Sequence, residues 1–126
     1  MKKVIETDLA PAAIGAYSQA IKAGSAAYIS GQIGLDPTTM EVVSDSFNDQ
    51  AMQVIDNLSV VANAAGGSLA DIVKLTVYLT DLDDFGVLNE LMTQRFEQPF
   101  PARAVVEVSA LPKGVLVEMD AILSID

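Results

Sequence analysis

The chain has 126 residues, 51% hydrophobic and 19% charged, with neither histidine nor cysteine. This length suits one compact core, read here as one domain over residues 1–126. The missing residue types exclude Ser-His-Asp and Cys-His catalysis, disulfides, thiolate metal sites and the commonest zinc ligand. Seventeen acids against seven bases give a net charge of −10, a field that repels phosphate backbones, so no nucleic-acid partner is expected.

Lys2 and Lys3 follow Met1, but Glu6 and Asp8 stand where an export signal would place its apolar stretch. The uncharged stretch 23–35 is broken by Gly and Ser and falls short of the ~20 apolar residues of a membrane span. A cytoplasmic location without a membrane partner is therefore expected. Val4-Ile5 and residues 26–33 read as strands, with a loop at Asp36-Pro37-Thr38-Thr39.

Ser44-Asp45-Ser46 offer N-cap oxygens to a helix whose stripe runs through Phe47, Gln50, Ala51, Val54, Ile55, Leu58, Val61, Ala62 and Ala65. Asn48, Asp49, Gln53, Asp56 and Asn57 fall on the opposite, wet face, and Gly66-Gly67 predicts a left-handed stop. Residues 72–80 alternate, with Val73, Leu75, Val77 and Leu79 on one face and Lys74, Thr76, Tyr78 and Thr80 on the other. A second helix is expected from the acid cluster Asp81, Asp83, Asp84 through Phe85, Leu88, Met92 and Phe96, ending before Pro99 and Pro101. Strands 104–108 and 115–125 follow, joined by Leu111-Pro112-Lys113-Gly114. In the last strand the odd positions are apolar, while the even face mixes Leu116 and Ile122 with Glu118 and Asp120. Two helices cover one face of such a sheet. Its other, partly apolar face is expected to meet a second subunit.

Several residues could carry chemistry. Arg103, one of two arginines, enters a strand straight after Pro101-Ala102. It reads either as half of a surface ion pair or as a fork for a substrate carboxylate. Glu118 lies in an apolar strand, so it meets a cation, has a raised pKa, or faces water at a sheet edge. Asn89 falls on the apolar stripe of the second helix and needs hydrogen-bond partners, a structural loop contact being the ordinary explanation. Tyr17 follows Gly15-Ala16 in a turn and reads as packing or as a presented aromatic. Gly31 interrupts a strand, which marks a bulge or close backbone approach to a ligand. No metal-spaced cluster or phosphate-cradling loop occurs, so neither metal nor cofactor is expected.

In order along the chain, Pro11-Ala12-Ala13-Ile14-Gly15-Ala16-Tyr17-Ser18-Gln19-Ala20, Ile29-Ser30-Gly31-Gln32-Ile33, Asp81-Leu82-Asp83-Asp84-Phe85, Pro101-Ala102-Arg103-Ala104-Val105-Val106-Glu107-Val108 and Val117-Glu118-Met119-Asp120-Ala121-Ile122 resemble the Rid family of reactive intermediate deaminases, most nearly its RidA subgroup. The resemblance spans essentially the whole chain. It implies a chorismate-mutase-like α+β fold, one mixed sheet with two helices on one face, assembled as a homotrimer with a central barrel and sites between subunits. It also implies hydrolysis of small carboxylate-bearing imines, 2-aminoacrylate and 2-iminobutyrate, to 2-oxo acids and ammonia, serving metabolite damage control. By position, Arg103 resembles the arginine that clamps the substrate carboxylate and Glu118 the glutamate that positions the attacking water. Tyr17 and Asn89 match further site positions, and Gly31 and Val105 would contact substrate through the backbone. Two positions depart from the pattern: Val105 stands where many RidA members have cysteine, and Ala16 replaces the usual proline. A regulator that binds a small metabolite without turnover would use the same Arg103 cleft. An RNA-cleaving role ascribed to relatives is opposed by the net charge.

Overall fold

The structure is a computed structural model and describes residues 1–125. Its six strands are β1 (Lys2–Ile5), β2 (Ala20–Ala23), β3 (Ala26–Ile33), β4 (Ile72–Leu79), β5 (Ala102–Glu107) and β6 (Val117–Ser124), and its two helices are α1 (Phe47–Ala64) and α2 (Phe85–Arg95). The strands form one mixed sheet in the order β1-β2-β3-β6-β4-β5, antiparallel except for the β4/β5 pair that α2 connects. The α+β class and the two helices on one face are as expected.

Helix α1 begins where Ser46 accepts the Asp49 N–H and ends at Gly66, whose φ of 97° is the left-handed stop that Gly supplies without penalty. Its stripe buries Ala51, Val54, Ile55, Leu58 and Val61 completely against Leu75, Val77, Leu79, Val117, Met119 and Leu123 of the sheet. An Arg95–Asp56 ion pair of 2.6 Å ties the two helices together on the outside.

Local chemistry shifted four expectations. Residues 20–23 form β2, which pairs with β1 and β3 but is too short to show a period of its own. A register shift between Ile72 and Lys74 turns Val73 outward and gives its core place to Ile72. Asn57 is buried, not wet: its amide donates to the carbonyls of Ile33 and Leu35 at 3.2 and 3.1 Å and so holds the exit of β3 onto α1. The stretch 82–84 is a separate short turn capped by Asp81, and Phe85, at the start of α2, stays 39% exposed.

The sheet face away from the helices is uncovered. Directly paired residues point the same way, so Val4, Ile21, Tyr28, Ile122 and Lys74 form one row across five strands, with Tyr78 and Val106 on the same face two rows further along. Val4, Tyr28 and Val106 are exposed large apolar residues, while Leu116 packs toward the helix-side core instead. No helix of the described residues is long and apolar enough to cross a membrane.

Candidate active site

Strand β5 pairs with β4 in parallel, setting Arg103 opposite the fully buried Leu75 and so on the helix side of the sheet. There the guanidinium finds neutral partners only. Nη1 donates to Asn89 Oδ1 at 2.9 Å and meets Met92 Sδ at 3.5 Å, and the guanidinium carbon Cζ lies 5.2 Å from the Phe85 ring centre. Asn89 and Met92 sit three residues apart on α2, on one helix face, which is why both reach the same guanidinium. No carboxylate among the described residues pairs with Arg103. The ion-pair reading of this arginine is therefore set aside, and its other N–H groups remain free for an anion. Val105, two residues on, points the same way and packs against the core.

Glu118 is paired with Tyr78 and Ile33, which puts its side chain on the opposite face. It borders a cleft of about 720 Å³ shared with Tyr17, Gly31, Met40 and Lys113. The cleft owes its shape to a bulge: β3 and β6 slip register between Ile29 and Gln32, so Ser30 and Gly31 together oppose Asp120. Any side chain at Gly31 would collide with the Glu118 carboxylate, so this glycine makes room for a functional group rather than for a turn. Tyr17 is 52% exposed, and its hydroxyl accepts the Ile14 N–H at 3.3 Å, which holds the ring over the loop that carries it.

Burial, and secondarily the charge of Asp120, pushes the Glu118 carboxyl above the ordinary glutamate range. Asp120 is itself fixed by the Tyr78 hydroxyl at 2.9 Å, a bond that helps raise the Tyr78 phenol as well. A carboxyl with a raised pKa, beside open space and next to a second carboxylate, can accept a proton from water near neutral pH.

The expected site residues thus fall into two groups. Glu118, Tyr17 and Gly31 gather in one cleft, while Arg103 and Asn89 gather with Phe85 and Met92 on the other side. Between the backbones of Arg103 and Glu118 lie two strand spacings and three residues, about 10 Å across and about 10 Å along the sheet. Within one chain the two charged groups cannot hold one small molecule. Phe85, Met92 and Lys113 were not singled out from the sequence. An apolar stripe gives no hint that its ring and thioether will face an arginine, whereas Lys113 had one signal, a lysine before Gly in a turn. No three His, Cys, Asp or Glu side chains among the described residues gather to hold a metal ion.

The architecture is that of solved RidA structures. RidA from the Antarctic bacterium Psychrobacter sp. superposes with a TM-score of 0.95 at 55% identity, covering 98% of this chain and 99% of that one. Residues 7–125 match the family described as Endoribonuclease L-PSP, and the chain belongs to that family. Among curated relatives, a RutC family protein of Pyrococcus horikoshii is 52% identical over 97% of both chains. A protein of Rattus norvegicus named 2-iminobutanoate/2-iminopropanoate deaminase is 46% identical over 97% of this chain and 89% of its own length.

Proposed function

We propose that the chain hydrolyses reactive 2-imino and 2-enamino acids, including 2-aminoacrylate and 2-iminobutyrate, to 2-oxo acids and ammonia. It does so as a single-domain cytoplasmic protein without metal or cofactor, in sites that two subunits of a homotrimer build together. The observation that carries this reading is the Arg103 guanidinium, oriented by Asn89, Met92 and Phe85 yet paired with no carboxylate among the described residues. The name borne by the rat relative supports the same activity, and the likeness to the Psychrobacter RidA structure supports the family.

A homotrimer supplies what one chain lacks. The uncovered row of Val4, Ile21, Tyr28 and Ile122 gives the sheets of three copies an apolar face on which to close into a central barrel with the helices outside. Such closure brings the Arg103 side of one subunit to the Glu118 cleft of its neighbour. Arg103 then accepts the substrate carboxylate with its free N–H groups. The Glu118 carboxylate takes a proton from water as the water oxygen bonds to the imine carbon and the C=N electrons move to nitrogen. Glu118 returns the proton to that nitrogen, giving a carbinolamine; the hydroxyl proton is then passed by the Glu118 carboxylate to the same nitrogen as the C–N bond breaks, so that ammonia leaves and the 2-oxo acid forms. Tyr17 and the Gly31 backbone line the space around the reacting carbon, and the Val105 backbone borders the carboxylate. Because an imine hydrolyses readily unaided, positioning and one proton transfer suffice.

The test follows ammonia and 2-oxobutyrate released from freshly generated 2-iminobutyrate. Wild type should accelerate release, and Arg103→Ala should do so far less efficiently, by roughly 30-fold or more. Binding of 2-oxobutyrate without any acceleration would instead identify a metabolite-binding regulator. Single-stranded RNA cut by the pure protein, with cutting lost in Arg103→Ala, would favour the activity in the family's description.

A further inference from the structure

Among the described residues, the non-glycine residues with a left-handed backbone are Met40, at φ 61°, and Lys113, at φ 57°, and both line the Glu118 cleft. Residues other than Gly, Asn and Asp seldom adopt this conformation, and where they do so the strain collects at functional sites. The case of Lys113 is the sharper. The chain turns from Pro112 to Val115, whose N–H donates to the Pro112 carbonyl at 3.3 Å, and both central residues are left-handed, Lys113 and then Gly114 at φ 67°. Turns with two such residues favour Asn-Gly or Gly-Gly. Glycine fills the second position here, but the first carries a lysine that the turn itself does not favour.

The surroundings give that lysine a use. Lys113 is the one cation in the lining of the cleft and Glu118 the one anion. The Lys113 ammonium pairs with no carboxylate among the described residues, and the side chain is exposed at the mouth. A carboxylate ligand approaching a chain of net charge −10 meets repulsion that a cation at the entrance offsets. We infer that Lys113 is a second anion-binding residue of this cleft. It draws the carboxylate of the ligand to the mouth before Arg103 holds it, and the strained backbone is retained because it places that ammonium there. This rests on the reading that the cleft takes carboxylate-bearing ligands, and it determines affinity rather than turnover.

Binding of 2-oxobutyrate, a stable carboxylate, to the intact protein provides the test by calorimetry at low salt. Lys113→Asn suits the turn better, so its Tm should equal or exceed that of wild type, yet its Kd should rise about fivefold, equivalent to roughly 1 kcal/mol. Lys113→Arg should restore the Kd, and Lys3→Asn, which removes the same charge from β1, should leave it unchanged. Raising the salt from about 0.01 M to about 1 M should weaken wild-type binding and largely erase the difference between wild type and Lys113→Asn. An unchanged Kd in Lys113→Asn, an equal loss in Lys3→Asn, or no 2-oxobutyrate binding by wild type would each overturn the assignment. Wild type that binds 2-oxobutyrate through Lys113 but accelerates no imine hydrolysis would remove the deaminase reading and leave this one standing.

Discussion

On the helix side of the sheet the Arg103 guanidinium rests on an amide, a thioether and an aromatic ring, all neutral, so no carboxylate among the described residues competes for its charge. On the other side the Glu118 carboxyl is half-buried beside Asp120, and its surroundings disfavour its charged form. On the proposed reading, the first arrangement keeps a charge available for a ligand, and the second makes a carboxylate more basic than it is in water. The contrast teaches that binding and proton transfer can be assigned to different faces of one small sheet, provided that assembly brings the faces together.

The largest effect is expected at the basic half. Glu118→Gln keeps the shape but cannot take a proton from water, so kcat should fall about 100-fold or more while the affinity for 2-oxobutyrate stays within about twofold. Stopped-flow kinetics and calorimetry on folded protein check both numbers, and a joint loss would erase the division of labour. Next comes the binding half: Arg103→Ala should lose roughly 30-fold or more in kcat/KM, as expected when a charge-assisted anchor worth about 2–5 kcal/mol is removed from a site that the proposed assembly would partly desolvate. Asn89→Ala should cost less, about tenfold in kcat/KM and mainly through KM, since Arg103 would keep its charge but lose one orienting hydrogen bond.

The smallest effect is thermodynamic and sharpens the contrast further. The folded-state pKa of Glu118 lies above its unfolded value, so the folded state binds the extra proton and stability declines as pH rises through that interval. Glu118→Gln should therefore melt slightly higher than wild type at neutral pH, and the gap should close as pH falls to the ordinary glutamate range. Melting curves across pH measure this, and a Gln variant less stable at neutral pH would mean that the carboxylate is held by attraction instead. The same shift predicts that kcat falls on the acid side with an apparent pKa above that of an ordinary glutamate.

Much of this layout was legible in the sequence because period and punctuation carry it. The α1 stripe, its Ser46 cap and Gly66 stop, the alternation in β4 and β6 and the glycine bulge in β3 each follow from local chemistry. What escaped was set by tertiary context. Asn57 looks polar and wet until the exit of β3 presents it with two carbonyls, and Val73 keeps its expected phase only if no bulge intervenes. The residues of the candidate site, Arg103, Glu118, Asn89, Tyr17 and Gly31, could be named from the sequence. Their separation onto two faces was not, because that depends on which strand neighbours which: β6 and β5 flank β4, and only the pairing register shows that Arg103 follows Leu75 while Glu118 follows Tyr78.

The division itself is tested most directly by mixing two inactive variants. Arg103→Ala and Glu118→Gln, co-expressed in equal amounts or unfolded and refolded together, form assemblies in which an intact Arg103 meets an intact Glu118 across some subunit boundaries. Imine hydrolysis should then recover to about a quarter of wild type, the share of boundaries that random assembly in a closed ring makes complete. A mixture that exchanges subunits yet stays as inactive as its components would contradict a site shared between chains.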